Sequence, residues 1–286
     1  MRILITGSSG YIGRTLSNYL KDKRPDFELW GLDCNPPPVL EPLETDLYLS
    51  DNIMNVSFPY KVHFDTVVHL AAYVKVNESV NEPIKYYHNN IQGTENVLKG
   101  LKYSNFIYAS TGTAENPINP YALSKRVGED YVTDFCTKNT KDYTKFRFYN
   151  VTGQGYGIKP TNTDGLLYNL IKAKETGKFT IFGDDYNTPD GTAVRDYLHV
   201  IEICEAIEKA IDYPSCGLEN LGHGIGYTVK EVAETFRRVN NLDFEIEISP
   251  LRRKGDLESM VLKDISTYMR KDLYTLDQMM EIHNAE

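Results

Sequence analysis

Tyr121-Ala122-Leu123-Ser124-Lys125 puts a phenol and an ammonium four residues apart, hence on one face of any helix that contains them. A tyrosine with an ordinary pKa of about 10 is a poor base at neutral pH, and adjacent cations favour its phenolate. Such a pair can take the proton of a substrate hydroxyl. Tyrosine is abundant here, with 21 copies, and the same spacing recurs at Tyr168 and Lys172, so spacing alone identifies nothing. Context separates the two copies. Only Tyr121 follows an apolar run, Phe106-Ile107-Tyr108-Ala109, that ends in the hydroxyl-bearing stretch Ser110-Thr111-Gly112-Thr113.

A second group suits phosphate chemistry. Gly7, Gly10 and Gly13 sit between an apolar run and a helical pattern, where missing side chains let the backbone approach a pyrophosphate at a helix N-terminus. Asp33 ends the next apolar run, placed to accept hydrogen bonds from ribose hydroxyls and to repel the extra phosphate of NADP. These residues together predict NAD; the bland alternative is a glycine turn without a ligand. No metal is expected, because Cys34, Cys136, Cys204 and Cys216 are scattered without C-x-x-C spacing. The same scatter argues against a disulfide framework and fits a reducing cytoplasm.

The elements that must position these groups follow from apolar periodicity. Ile3 to Thr6 reads as a strand, Arg14 to Lys21 as a helix and Glu28 to Leu32 as a strand. The alternation continues through Thr66 to Leu70, Ile91 to Leu101, Phe106 to Ala109, Tyr121 to about Thr137 and Lys145 to Tyr149. This is the rhythm of an α/β chain with a doubly wound parallel sheet of Rossmann type. After Asn150 the pattern loosens at Gly153, Gly155, Gly157 and Pro160. The expected organisation is an NAD-binding domain over residues 1–150 with a return at about 192–218, and a smaller α/β substrate-binding domain from 151–191 and 219–286. At 286 residues the chain is long enough for both.

A formal net charge of −9 makes nucleic acids and anionic membranes poor partners. An anionic small molecule would need its own arginines. Met1 runs straight into the first apolar run, with no signal-peptide pattern, and no apolar stretch of about 18 residues occurs, so no membrane span is expected.

The spacing of Gly7, Gly10 and Gly13 resembles that of the extended short-chain dehydrogenase/reductase family. The stretch from Phe182-Gly183-Asp184-Asp185 through Asp190-Gly191-Thr192 to Arg195-Asp196-Tyr197-Leu198-His199-Val200 resembles the signature of that family's UDP-glucose 4-epimerases. Similar matches cover His69 to Thr94, Phe146 to Asn150 with Thr152-Gly153, Asn220-Leu221-Gly222 and Arg252-Arg253-Lys254-Gly255-Asp256, so the resemblance spans essentially the whole chain.

For the cofactor, the resemblance implies contacts from Tyr11 and Ile12 to the pyrophosphate and from Asp46 and Leu47 to adenine. Leu70, Ala71 and Ala72 would lie beside the phosphates and ribose, with Asn90, Tyr121, Lys125 and Tyr149 completing the site. Asn90 could equally be a helix cap. Thr111 would hydrogen-bond the substrate hydroxyl and relay its proton, the alternative being a turn residue that caps its own backbone. Asn150, Thr180, Ile181, Phe182, Arg195, Arg253 and Asp256 would hold the nucleotide diphosphate, guanidiniums being suited to phosphate. His199 reads as a structural histidine.

The implied activity is NAD-dependent inversion of the 4-hydroxyl of a nucleotide-sugar, UDP-glucose or UDP-galactose, through a 4-keto sugar. The implied assembly is a homodimer. Dehydratases of the family carry Asp-Glu directly after the Thr and decarboxylases Ser-Glu, where this chain has Gly112 and Thr113; Glu115 nearby keeps that alternative open. A non-catalytic NAD-sensing protein on the same fold is a third reading. The segment Ala114 to Pro120 is shorter than the family's usual loop, which leaves one wall of the sugar pocket unspecified.

Overall fold

A computed structural model describes residues 1–37, 43–55, 62–253 and 256–282. Lys254 and Gly255 of the Arg252–Asp256 motif lie outside the described residues. The chain opens with β1 (Arg2–Thr6), α1 (Tyr11–Lys23) and β2 (Glu28–Asp33). β3 (Leu47–Ser50) and β4 (His63–His69) follow, then α2 (Val76–Asn81), α3 (Pro83–Tyr87), a π-helical turn at His88–Gln92 and α4 (Gly93–Gly100). β5 (Lys102–Thr111) leads through a single 3₁₀ turn, Gly112–Ala114, into α5 (Pro120–Lys138) and β6 (Asp142–Phe148).

The remainder comprises β7 (Asn150–Thr152), α6 (Leu166–Thr176), β8 (Lys178–Phe182), β9 (Val194–His199), α7 (Val200–Asp212) and β10 (Gly217–Leu221). It closes with β11 (Gly226–Thr228), α8 (Val229–Val239), β12 (Glu245–Ser249), β13 (Ser259–Met260) and α9 (Leu276–Met280).

Seven strands pair in the order β10-β6-β5-β4-β1-β2-β3, every pair parallel. A parallel sheet must be covered on both faces, which explains the unbroken apolar runs in its strands. On one face Leu16 and Leu20 of α1 and Ile203 and Ile207 of α7 pack on Ile3, Ile5 and Phe146. On the other, Val97 and Leu98 of α4 and Val132 and Cys136 of α5 pack on Leu4, Val67 and Phe106. From β1 the chain runs outward to β2 and β3, then crosses back to β4 on the other side, so the winding reverses between β1 and β4. Ligands of such sheets bind beyond the carboxyl ends of the strands at that point.

A second core lies outside this sheet. Leu167 and Leu170 of α6, Phe179 and Ile181 of β8, Tyr197 of β9, Phe236 of α8 and Met279 of α9 bury one another there. β9 stands between β11 and β13 and also pairs with β7, while β8 pairs with β12. α7 packs against the central sheet although β9, immediately before it, does not join that sheet. His199 ends β9 and caps α7, its ring stacked on Tyr274 at 4.2 Å, which agrees with a structural histidine.

Candidate active site

One cavity of about 870 Å³ runs from the glycine turn after β1, past the end of β5 and the first turns of α5, to β8, β9 and Arg253. That volume is at the upper end of single-ligand pockets, as two joined ligands require.

At its first end Gly7 adopts φ +73°, and a Cβ there would stand 2.7 Å from the Ala71 backbone nitrogen. A Cβ on Gly13 would stand 2.2 Å from the Gly7 carbonyl oxygen. The glycines thus let β1, α1 and the strand end at Leu70-Ala71 close on one another. The N-terminus of α1 has no side-chain cap, and Gly10, Tyr11, Ile12 and Gly13 all line the cavity, so free amide donors and the positive end of the helix dipole are available to an anion. The Tyr11 hydroxyl donates to the carbonyls of Thr152 and Gly153, at 2.9 and 2.6 Å, pinning β7 beside this turn. Asp33 accepts hydrogen bonds from the Ser9 and Asn35 amides, at 3.0 and 2.9 Å, which aim its carboxylate along the wall. Leu70, Ala71 and Ala72 also line it.

Three expected cofactor contacts lie elsewhere. Asp46 and Leu47 do not line the cavity. They stand at the amino end of β3, and Asp46 accepts hydrogen bonds from Lys21 Nζ and the Leu29 amide, each at 2.6 Å. Ligands approach the carboxyl ends of the strands, and there Asp51, Asn52 and Ile53, just past β3, form the wall. Leu47-Tyr48-Leu49-Ser50 carries the signal, because recognising it as a strand moves the contact four residues on. Asn90 is fully buried and spent: its side chain pairs with both backbone groups of Tyr73, at 2.9 and 3.0 Å, and with Ser124 Oγ at 3.0 Å. It is neither a wall residue nor a helix cap but a staple between the Tyr73 loop and α5; its neighbour Asn89 lines the cavity.

In the middle of the cavity α5 is started by Asn119, whose Oδ1 accepts the Ala122 amide at 2.8 Å, and by Pro120 at the first helical position. This sets Tyr121 in the first turn with Lys125 one turn on, both lining the cavity with Thr111 from the end of β5. Tyr86 lies edge-on behind Tyr121, with ring centroids 6.5 Å apart. Thr111 Oγ1 lies 3.1 Å from Thr113 Oγ1 and accepts a long bond from the Thr113 amide, so it both caps its own turn and faces the cavity.

Burial pushes the Tyr121 hydroxyl up to about 12, with the hydrogen bond from Thr111 working in the opposite direction. Burial likewise pulls Lys125 down to about 7, Glu129 opposing it. The Lys125 ammonium lies 4.3 Å from the centroid of the Tyr108 ring, a cation–π contact. The spacing predicts that Lys125 brings the phenol down; burial instead dominates for both groups, and what opposes it is the Thr111 hydrogen bond at Tyr121 and Glu129 at Lys125.

At the far end Asn150, Thr180, Ile181, Phe182, Arg195, Arg253 and Asp256 all line the cavity, as does Tyr149 beside the Thr111 turn. Arg195 pairs with Asp256, the Arg253 guanidinium sits 4.7 Å from the Phe182 ring centroid, and Asn150 Nδ2 donates to the Asp196 carbonyl at 2.9 Å. Glu115 is exposed and absent from the wall; of the segment from Gly112 to Pro120, only Thr113 and Asn119 reach the cavity. Among the described residues no cluster of metal-binding side chains occurs, and no helix is long and apolar enough to cross a membrane.

Residues 3–222 match the NAD dependent epimerase/dehydratase family. The chain belongs to that family. It is 31% identical over 292 aligned residues to the UDP-glucose 4-epimerase of Lactobacillus helveticus, covering 91% of this chain and 88% of the relative. The UDP-glucose 4-epimerase of Bifidobacterium longum, solved with NAD+ and UDP, superposes with a TM-score of 0.85 at 26% identity, covering 98% of this chain and 96% of that one. The Thermotoga maritima UDP-glucose 4-epimerase, solved with UDP-glucose, superposes at 0.83 with 26% identity, covering 99% and 97%.

For a family that depends on NAD, the glycine turn, the uncapped α1 terminus and Asp33 fit the dinucleotide. Gly13→Ala tests this fit. Alanine favours a helix over glycine by about 1 kcal/mol, yet its Cβ would meet the Gly7 carbonyl. The expected result is a lower melting temperature and loss of co-purifying NAD, read by mass spectrometry of the heat-released small molecules.

Proposed function

We propose that this chain is an NAD-dependent epimerase inverting the 4-hydroxyl of a nucleotide-sugar, with UDP-glucose and UDP-galactose as the pair it interconverts. The observation that carries this reading is the single continuous cavity, with an acid–base pair at its centre and no carboxylate from the turn after Thr111. Elimination of water or loss of carbon dioxide would call for an acidic group there, and Glu115 is exposed and absent from the cavity wall.

Gly7, Gly10, Tyr11, Ile12, Gly13, Asp33, Leu70, Ala71 and Ala72 are the residues that would hold NAD, joined by Asp51, Asn52 and Ile53. NAD bound there would supply a two-electron acceptor and donor for the sugar carbon. Tyr121 takes the proton of the 4-hydroxyl, directly or through Thr111, and the carbon becomes a ketone. Lys125 stabilises the phenolate. Arg195 and Arg253 hold the diphosphate and Asn150 the nucleotide side, with Asp256 released from Arg195 to do so. These contacts grip the nucleotide and leave the hexose free to turn, so the ketone can be reduced on its other face while Tyr121 returns the proton. Their purchase on phosphate is local and overcomes the acidic charge of the whole chain.

In this reading residues 1–150 form the cofactor half with a return over α7 and β10, 200–221, a shift from the expected 192–218 because β9 pairs outside the central sheet and β10 within it; β9 goes with 151–191 and the chain after 221 to the substrate half. A homodimer through helices of the cofactor half fits the exposed Leu123 and Tyr131 on α5, 41% and 39% accessible. The four unpaired thiols fit a reducing cytoplasm. The test is incubation of the purified protein with UDP-galactose and no added NAD. UDP-glucose is the expected product; a product lighter by water or carbon dioxide would replace this reading with a dehydratase or decarboxylase.

A further inference from the structure

Beneath Thr111 and Lys125 lies an ion pair that the mechanism above does not use. Glu129 accepts Arg147 Nε and Nη2 at 2.8 and 2.7 Å, and the side chains are 3% and 6% exposed. The Ser110 hydroxyl donates to the same carboxylate at 2.5 Å. Each partner comes from a different element of the site. Glu129 is on α5, one turn beyond Lys125 and two beyond Tyr121, hence on their face. Ser110 immediately precedes Thr111 on β5, and Arg147 stands opposite Ser110 in the register of β6. A buried ion pair is a weak source of stability, since desolvation consumes most of the attraction. Its location is more informative than its strength.

We propose that Glu129 is a positioning residue of the catalytic site: its carboxylate ties α5 to the strand that carries Thr111 and sets a negative charge one helical turn from Lys125. The inference rests on reading Tyr121 and Lys125 as the acid–base pair. Other charged groups on the elements around Lys125 are already engaged or remote from it. On β4, His69 lies between the hydroxyls of Thr6 and Thr94, at 2.7 and 3.0 Å, and burial holds it neutral, down to about 3. On β5, Tyr108 offers its ring face. On α2, Glu78 is taken by Lys85 and Tyr86 of α3, and on α4, Glu95 by Lys99. His88 of the π-helical turn is exposed, as is Asp130 on α5, which lies 3.8 Å from Arg126. On β6, Lys145 bonds Thr133, and Arg147 would repel Lys125 if Glu129 were neutral.

Glu129 is therefore the carboxylate that offsets both the burial of Lys125 and the charge of Arg147. Glu129→Gln keeps the side-chain shape and removes the charge. In NAD-loaded protein carrying ¹³C-labelled lysine, the NMR titration midpoint of Lys125 is expected to fall by about one pH unit or more, the scale of a close opposite charge. Glu129→Asp is expected to restore most of the wild-type midpoint. Should the glutamine variant fail to fold around an unpaired Arg147, the double variant E129Q/R147M removes both charges and is expected to show a smaller fall in the same direction. The alkaline limb of the UDP-galactose turnover profile should move to lower pH in step with the midpoint. An unchanged Lys125 midpoint in the folded variants would overturn the proposal. The NMR readout needs no sugar substrate, so it stands apart from any failure of the epimerase assay.

Discussion

Tyr121→Phe is expected to lower UDP-galactose turnover by about 10²–10⁴-fold, the usual contribution of a positioned acid–base group. NAD and UDP should stay bound. The substitution removes one hydroxyl and leaves the ring, which packs edge-on against Tyr86. Thr111, which loses a partner, retains Thr113 Oγ1 at 3.1 Å, so no polar group is orphaned and the melting temperature should hold. Steady-state turnover with cofactor content measured in parallel checks this. The loss should fall on kcat and leave UDP affinity unchanged, because the hydroxyl acts in the transition state rather than in holding the nucleotide. Undiminished turnover would remove Tyr121 from the chemistry.

Lys125→Met separates stability from activity. Burial lowers the folded-state pKa of Lys125 to about 7 from the ordinary 10.5. Between those values the unfolded chain carries a proton that the folded chain lacks, so this group makes stability rise with pH across that window. Below about pH 7 the folded protein bears the full cost of a buried ammonium. Methionine fills the space without that cost, and thermal melts at pH 6 should show the variant at least as stable as the wild type. Turnover should move oppositely. Without the ammonium, Tyr121 keeps a hydroxyl already pushed up to about 12, so the rate should fall steeply and its acid limb shift to higher pH. A loss of stability at pH 6 comparable with that of a cavity-forming core substitution would contradict the electrostatic reading. The opposed effects follow from placing a charge where chemistry needs it and packing does not.

The fold was legible because its strands are buried on both faces and therefore appear as apolar runs: Ile3 to Ile5, Leu29 to Leu32 and Val67 to Val68 mark β1, β2 and β4 directly. β3 was not. It is a short edge strand with partly exposed side chains, so no such run exists, and the adenine contacts implied by resemblance, Asp46 and Leu47, fall at its amino end, away from the cavity wall. Gly7, Asp33, Thr111 and Tyr121 reach the cavity from strand ends and a first helical turn that the pattern itself marks, with Lys125 one turn beyond Tyr121. The partners of Asn90 were hidden for a different reason. An asparagine advertises hydrogen bonding, but nothing local says that its partners are Tyr73 and Ser124, distant in sequence. Glu129 and Arg147 look like surface charges on a helix and a strand until the sheet brings them together. The direction of the Tyr121 shift depends on burial, which Tyr-x-x-x-Lys spacing does not contain.

The most direct measurement uses UDP-galactose bearing deuterium at carbon 4 of the sugar, with the product read by NMR and mass spectrometry in ordinary water. Oxidation and reduction at that carbon, with only the hydroxyl proton passing through Tyr121, predicts UDP-glucose that retains deuterium at carbon 4. UDP-glucose with the deuterium exchanged for solvent hydrogen would contradict the account, because the carbon–hydrogen bond would then have been broken by deprotonation.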